Sequence, residues 1–411
     1  MIDAMAISTP RRYTASPALL RRVVEDVAIL AHRRTGWTLR DDTDLSSMVE
    51  MDARLEALVD VTRTAGPLAR QLADEGLASE AGGAAFLPAL LALEEGELAR
   101  LDALLALVAT LPELFVEMAL AFAWVSPEHL RGVLPRLLEH GGEAGPRFAI
   151  ECCVQHRIDA RELLLRLSTD PASTVRADAL RAAGELGLTA LRAACVEGCA
   201  ATDDRERLES ARSALLLGER ETSIATLSAL CLSDSMHQAA AARMLLQNSS
   251  PERGHALLAT MRAAGATPSA MLMGAGWCGD LNYLPWLRSH LASGATDGTA
   301  PEAAEVAAST VEESHALAAI ELITGLAPDE VRTDASSVER WIRDRGPNPG
   351  RAYFLGQLPT DQHLKNVLAQ GRQVHRRQAA ERLGARAATV GVFSCNAPVW
   401  RQQRLLAALT R

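Results

Sequence analysis

The run Asp170-Pro171-Ala172-Ser173-Thr174-Val175-Arg176-Ala177-Asp178-Ala179-Leu180-Arg181-Ala182-Ala183-Gly184-Glu185-Leu186-Gly187 reads as one helix with both ends marked. Asp170 suits the N-cap, and Pro171 suits the first helical position, where a missing N–H costs nothing. Val175, Ala179, Ala182, Ala183 and Leu186 then fall on one helical face. Gly187 stands where the chain must leave the helix. Small residues on that face let a neighbouring helix approach closely.

The stretch resembles a HEAT-like repeat, of the short variety first recognised in phycobilisome lyases, and meets the pattern DPxxxVRxxALRALGxLG almost position for position. Its small buried-type residue at Ala179 has counterparts at Ala119, Ala149, Ala211, Ala240 and Ala270, at intervals of about 30 residues. Ala319 and Ala379 continue the series. The long interval before Ala319 contains Ser293-Gly294-Ala295-Thr296-Asp297-Gly298-Thr299, read as a loop insertion. Helix starts recur with one chemistry, a cap residue before proline, at Ser16-Pro17, Ser126-Pro127, Ser250-Pro251 and Thr267-Pro268. No run alternates as a strand must. The expectation is an all-α chain, a solenoid of HEAT-like antiparallel helix pairs, each needing its neighbours to bury its apolar face. Residues 1–80 fit the period less well; Pro17 to Arg34 and Leu45 to Thr64 suggest an N-terminal helical cap. Residues 81–345 form the solenoid. Beyond the breaker-rich Gly346-Pro347-Asn348-Pro349-Gly350, residues 346–411 form a basic C-terminal helical module.

Composition agrees with helices. Apolar residues make up 48% of the 411 but aromatics only 4%, so alanine and leucine dominate, which favours helix over sheet. A net charge of −9 excludes a nucleic-acid binder that is basic throughout. Met1 to Pro10 lacks the basic and apolar regions of a signal peptide. Leu104 to Val125 is interrupted by Pro112, Glu113 and Glu117 and reads as a buried helical hairpin, not a membrane span. Seven cysteines show neither a disulfide framework nor a CxxC site. The expected setting is cytoplasmic, with reduced thiols.

Several stretches outside the repeat resemble, as an ordered set, a bacterial family of HEAT-like-repeat proteins often encoded near type VI secretion genes. They are Leu55-Glu56-Ala57-Leu58-Val59-Asp60, Gly279-Asp280 with Leu284-Pro285-Trp286-Leu287, Glu321-Leu322-Ile323-Thr324-Gly325, Tyr353-Phe354-Leu355-Gly356-Gln357, Gly371-Arg372-Gln373 with Arg376-Arg377-Gln378-Ala379-Ala380, and Asn396-Ala397-Pro398 with Arg401-Gln402. The similarity runs from about residue 17 to 406. The family offers no catalytic residues to carry over, so the resemblance implies a context and not a reaction.

Charge is distributed unevenly. From Lys365 to Arg411 the basic residues Lys365, Arg372, Arg376, Arg377, Arg382, Arg386, Arg401, Arg404 and Arg411 face one acid, Glu381, for a total of +8, which leaves −17 on residues 1–364. Three readings stay open: a docking surface for an acidic protein partner, a seat for a nucleic-acid backbone, or arginines that pair with the acidic body and hold the module in place. On the first, the partner-binding residues are Lys365, Arg372, Arg376, Arg377, Arg401 and Arg404.

Other constellations read as structural. Glu312 and His315 share a face near Glu313 and Glu321, but one histidine falls short of HExxH, and a solvated helix start explains them better. Cys195 and Cys199 lack further ligands and read as packed thiols. Gly274, Gly276 and Gly279 meet GxGxxG but follow a helix pattern, so they read as a turn, with Asp280 capping the next helix. Trp277 and Trp286 suggest either an aromatic patch or inter-repeat core. Acidic Asp41-Asp42-Thr43-Asp44 and Glu94-Glu95-Gly96-Glu97 read as loop and helix-start residues. No nucleophile elbow or activated cysteine is evident, and no pocket pairing an aromatic residue with a carboxylate can be assigned. The expected function is a non-enzymatic protein–protein interaction scaffold, without cofactor or metal, acting as adaptor, chaperone or immunity-type partner of a type VI secretion effector or component. The alternative is a nucleic-acid-binding or DNA-glycosylase-like HEAT-repeat enzyme that uses the C-terminal basic patch; self-association through solenoid ends is a third.

Overall fold

The computed structural model describes residues 16–38, 40, 42–78, 83–291, 303–334, 336–345 and 350–409, and among them every regular element is helical. The loop insertion expected at 293–299, the breakers at 346–349 and Arg411 lie outside the described residues. The chain divides into two compact units: Met1–His156 with Asn396–Arg401, and Arg157–Cys395 with Gln402–Arg411. The boundaries expected near residues 80 and 346 therefore fall inside the first and second unit.

The first unit holds α1 (Pro17–Trp37), α2 (Leu45–Ala65), α3 (Pro67–Leu77), α4 (Phe86–Glu95), α5 (Leu98–Thr110), α6 (Phe115–Trp124), α7 (Val133–His140) and α8 (Ala144–His156). Helices α1 and α2 are the two amphipathic N-terminal patterns, packed on each other. Asp44 starts α2 by accepting from Ser47 N at 2.8 Å. The apolar stretch from Leu104 is split at Leu111-Pro112 into α5, a 3-10 turn and α6, and among the described residues no helix is long and apolar enough to cross a membrane. Within α6 the buried Glu117 accepts from Gly83 N and Ala85 N, which fastens the start of α4.

The second unit is a stack of helix hairpins. Its elements are α9 (Arg161–Leu167), α10 (Ser173–Leu186), α11 (Arg192–Gly198), α12 (Asp204–Leu216), α13 (Glu221–Cys231), α14 (Gln238–Gln247), α15 (Pro251–Ala263), α16 (Pro268–Cys278), α17 (Leu284–Ser289) and α18 (Ala303–Thr324). Each even-numbered helix packs on the odd one before it, and α10, α12, α14, α16 and α18 pack on one another in sequence. That is the solenoid expected from the repeat. The α10 helix begins at Ser173, two residues later than Pro171: Asp170 spends its carboxylate on Ala172 N at 2.9 Å in a turn. Its far end is as expected, with Gly187 left-handed at φ +70°.

Five of the eight small residues of the series are buried as expected, and Ala119, Ala240 and Ala270 are half-buried. Ala149, Ala179, Ala211, Ala319 and Ala379 are fully buried, whereas the buried positions near Ala240 and Ala270 are Ala241 and Ala275. A Cβ on Gly184 would fall 2.8 Å from Ser213 Cα, and one on Gly276 would fall 2.7 Å from Ala319 Cα. Gly274 and Gly276 are thus helical contact residues of α16, not a turn, and only Gly279 ends the helix. Asp280 accepts from Asn282 N at 2.8 Å, as expected of a cap.

Beyond α19 (Pro328–Thr333) and α20 (Ser337–Arg345) come α21 (Asp361–Gln370), α22 (Gln373–Gly384) and α23 (Val399–Leu409). Residues 351–395 close the carbonyl ends of the stacked helices, which an isolated helix leaves without partners. Tyr353 N donates to Gly279 O at the end of α16 at 2.8 Å. Leu355 N and Gly356 N donate to Leu322 O and Ile323 O of α18, at 2.7 and 3.0 Å. Val392 N and Arg157 Nη1 both reach Glu185 O of α10, at 2.9 and 2.7 Å. Arg382 Nη1 donates to Gln247 O, the last carbonyl of α14, at 2.8 Å. With neighbours on one side and this segment on another, α12 and α16 are buried nearly all round, as a helix between two layers must be.

Candidate functional site

Of the six basic residues expected to meet a partner, Lys365, Arg372, Arg376 and Arg401 bond within the chain. Arg376 is 0% exposed and is corrected here to a core residue. Its guanidinium donates to Leu368 O at 2.7 Å, Gln373 Oε1 at 2.7 Å and Gln402 Oε1 at 2.6 Å. Lys365 Nζ donates to Leu409 O, the last carbonyl of α23, at 2.6 Å. Arg372 pairs with Glu321 of α18. Arg401 donates to Val125 O at 2.8 Å and Gln155 O at 3.3 Å, at the ends of α6 and α8. Arg377 is half-buried and Arg404 exposed. Four of the basic residues, Lys365, Arg376, Arg382 and Arg401, thus sit at helix C-termini, where the macrodipole is negative. The acid of the segment is used in reverse: Glu381 takes Arg212, Arg243 and Gln247 from the stacked helices. Burial pushes its carboxyl up, but Arg243 and Arg212 outweigh that and hold it at about 2.

The structure draws attention instead to the first unit, around the strap Asn396-Ala397-Pro398-Val399-Trp400-Arg401. A buried ion pair pins this strap. Arg34 of α1 and Asp52 of α2, exposed by 1% and 2%, bond through Nε–Oδ1 at 2.8 Å and Nη2–Oδ2 at 3.2 Å. Arg34 also donates to Asn396 O at 3.2 Å and Ala397 O at 3.0 Å, while Asp52 accepts from Val399 N at 2.8 Å. Each guanidinium nitrogen and each carboxylate oxygen of the pair therefore has at least one partner, the condition under which a buried ion pair persists. Sequence reasoning missed both residues. The signal was present: Arg34 and Asp52 lie on the apolar stripes Val27-Leu30-Ala31 and Met48-Leu55-Val59, where a charge needs a buried partner.

Two clefts flank the strap. On the Asn396 side, one of 200 Å³ is lined by Phe115, Val116, Leu120 and Ala123 together with Glu151 and Gln155. On the Trp400 side, a cleft of 440 Å³ is lined by Glu56, Arg63, Glu94, Trp124, Val125, Ser126, His129 and Trp400. Trp400 meets Trp124 edge-to-face, centroids 4.7 Å apart at 88°, and Phe86 meets Trp124 at 5.7 Å and 85°. Trp124 Nε1 donates to Glu56. Arg63 grips Glu94 with two bonds, Nε at 3.0 Å and Nη2 at 2.6 Å, and its Nη1 reaches Glu56 at 2.7 Å and Asp60 at 2.6 Å. Hydrogen bonds donated to these carboxylates, Glu94 foremost, raise the guanidinium further above its ordinary value. This is the aromatic-and-carboxylate pocket that could not be assigned from sequence. Trp124 ends an apolar run and Trp400 lies some 276 positions on, beyond local pattern.

The remaining candidates are structural. All seven cysteines are buried and free. Burial pushes Cys153 and Cys395 up to about 11, and Cys195, Cys231 and Cys278 up to about 12. Cys199 Sγ donates to Cys195 O, as packed helical thiols do. Glu312 faces His290 at 3.4 Å and Glu313 faces Arg332 at 3.4 Å, inside the long α18 instead of at a helix start. Among the described residues no group of three or more His, Cys, Asp or Glu could hold a metal. Trp277 is core at 8% exposure, whereas Trp286, at 36%, stacks edge-on with Tyr283 and His290. Comparison with family models, curated proteins and solved structures returned no match to this chain.

Proposed function

We propose that this chain is a non-enzymatic interaction scaffold whose partner seats in the 440 Å³ cleft beside Trp400. One observation carries the reading: the cleft is preformed, with each wall held by its own bonds. Trp124 is fixed by Glu56, Arg63 by three carboxylates, and the strap by the Arg34–Asp52 pair. Its size lies within the roughly 300–1,000 Å³ of ordinary ligand sites, and a rigid aromatic wall is the usual anchor of a protein interface. The polar groups are spent on positioning one another, which suits recognition. The buried thiols with raised pKa values support a reading without covalent chemistry. The resemblance to HEAT-like-repeat proteins encoded near type VI secretion genes suggests the partner: a cytoplasmic effector, adaptor or other component made from the same locus, which the chain escorts or neutralises.

The test is pairwise co-expression with the products of adjacent genes, followed by affinity capture. The expected result is retention of one product by the native chain, and its loss with Trp400→Ala. Retention of none, or retention unchanged by that substitution, overturns the reading. Retention of duplex DNA at moderate salt favours the nucleic-acid alternative instead.

A further inference from the structure

We infer that two copies of this chain exchange residues 1–156, so that the strap of each copy closes the first unit of the other; this goes beyond the reading above and holds whichever partner the cleft receives. Connectivity is the starting point. The first unit is Met1–His156 completed by the six residues Asn396–Arg401, and both flanks of those six, Cys395 and Gln402, belong to the second unit. Residues 1–156 therefore join the rest of the chain covalently at one peptide bond, between His156 and Arg157. What fixes them to the strap is noncovalent. Arg34 donates to Asn396 O and Ala397 O, Asp52 accepts from Val399 N, Arg401 donates to Val125 O and Gln155 O, and Trp124 meets Trp400. A strap of identical sequence from a second copy makes each of these bonds again. The exchanged pair reuses the interface that the single chain already has, and the 440 Å³ cleft then takes Trp124 from one copy and Trp400 from the other.

The joint itself favours opening. A helix that ends in a left-handed residue usually has glycine there, because a Cβ is disfavoured in that conformation. So α4, α10 and α16 end on left-handed Gly96, Gly187 and Gly279. The end of α8 is different: Arg157 holds φ +56°. Among the described residues the other left-handed non-glycine is Leu355, which sits with Gly356 in a two-residue turn closed by Phe354 and Gln357, where both central residues need positive φ. Arg157 has no such turn. Its guanidinium donates to Glu185 O at 2.7 Å, Val392 O at 2.9 Å and Val390 O at 2.8 Å, all in the second unit. The side chain is thus anchored on one side of the joint, and the pivot is the residue's own backbone. A left-handed arginine is disfavoured on steric grounds, and a return to negative φ relieves that strain as residues 1–156 leave their own strap. Short hinges under strain are where exchange between copies begins.

The experiment refolds the full chain from urea over a range of concentrations and reads the species by size exclusion with light scattering. A dimer is expected to grow with concentration and to revert slowly on dilution, since reversion must unseat two straps. Arg157→Gly and Arg157→Ala both lose the guanidinium bonds and differ in the backbone alone. The glycine variant, at ease in the closed hinge, should dimerise about tenfold or more weaker than the alanine variant, because each dimer opens two hinges. Mixing then separates exchange from an ordinary dimer. Asp52→Asn spoils the seat, and Val399→Pro removes the N–H that meets Asp52 at the first position of α23, where proline is tolerated. Refolded together with different tags, the two variants should give more mixed dimer than random pairing does, because the mixed dimer alone contains one seat and strap that are both native. Absence of a dimer, a dimer indifferent to glycine against alanine at 157, or random pairing of the two variants overturns the inference.

Discussion

At the scale of single residues, Arg34 and Asp52 are the most consequential side chains of the first unit. Removing one member of a buried pair strands the other charge, at a cost of about 3–5 kcal/mol. Asp52→Ala is therefore expected to lower the stability of this unit by that amount in urea unfolding followed by tryptophan fluorescence. Arg34→Met alone should cost a similar amount, because Asp52 then keeps only Val399 N. In the second unit His375 carries a pH dependence. Burial, reinforced by Arg372, pushes its imidazole down to about 3, so the folded unit holds it neutral while the unfolded chain protonates near 6.5. Unfolding then takes up a proton below pH 6.5, and stability falls as pH drops from 6.5 towards 3. Glu381, held at about 2 and near 4.3 when unfolded, adds a further loss between those values. Urea midpoints at pH 7.5, 5.5 and 4.5 should fall in that order, and His375→Gln should flatten the upper step.

At the scale of elements, the repeat, the N-terminal pair of helices and the prolines at helix starts were legible, because capping and 3.6-residue periodicity are local. What was not legible was the cover supplied by residues 351–395, which depends on pairings such as Leu355 N with Leu322 O. A trace of it existed: Leu272 to Cys278 has no polar side, as a helix covered on two faces requires. The same helix gives a prediction. On Gly276 a Cβ has nowhere to go but into the α18 backbone at Ala319. Gly276→Ala should destabilise the second unit by about 1–3 kcal/mol, as overpacking does. Gly36→Ala, with open space around it, should not. Thermal unfolding of the two variants measures the contrast.

At the scale of the whole molecule, the division into −17 and +8 acquires a structural meaning. The basic segment does more than balance acidic side chains: Lys365, Arg376, Arg382 and Arg401 supply donors to helix carbonyl ends, while Arg372 and Arg386 pair with Glu321 and Asp361. Each unit is completed by residues late in the chain: the first by 396–401, the second by 351–395 and 402–409. A chain stopped after Cys395 leaves Arg34 and Asp52 without Asn396, Ala397 and Val399. Its first unit should unfold at lower urea, and a synthetic peptide of residues 396–409 should restore the midpoint in a dose-dependent way. No recovery at saturating peptide would show that the strap is not what the pair stabilises. The same feature bears on how the protein is made. The ribosome finishes His156 and then adds some 240 residues before Asn396 emerges, which at about 5–20 residues per second is roughly 12–50 s. For that interval a charged pair waits in the first unit without its final ligands, so the step that seals this unit comes only after residues 157–395 of the second have been made.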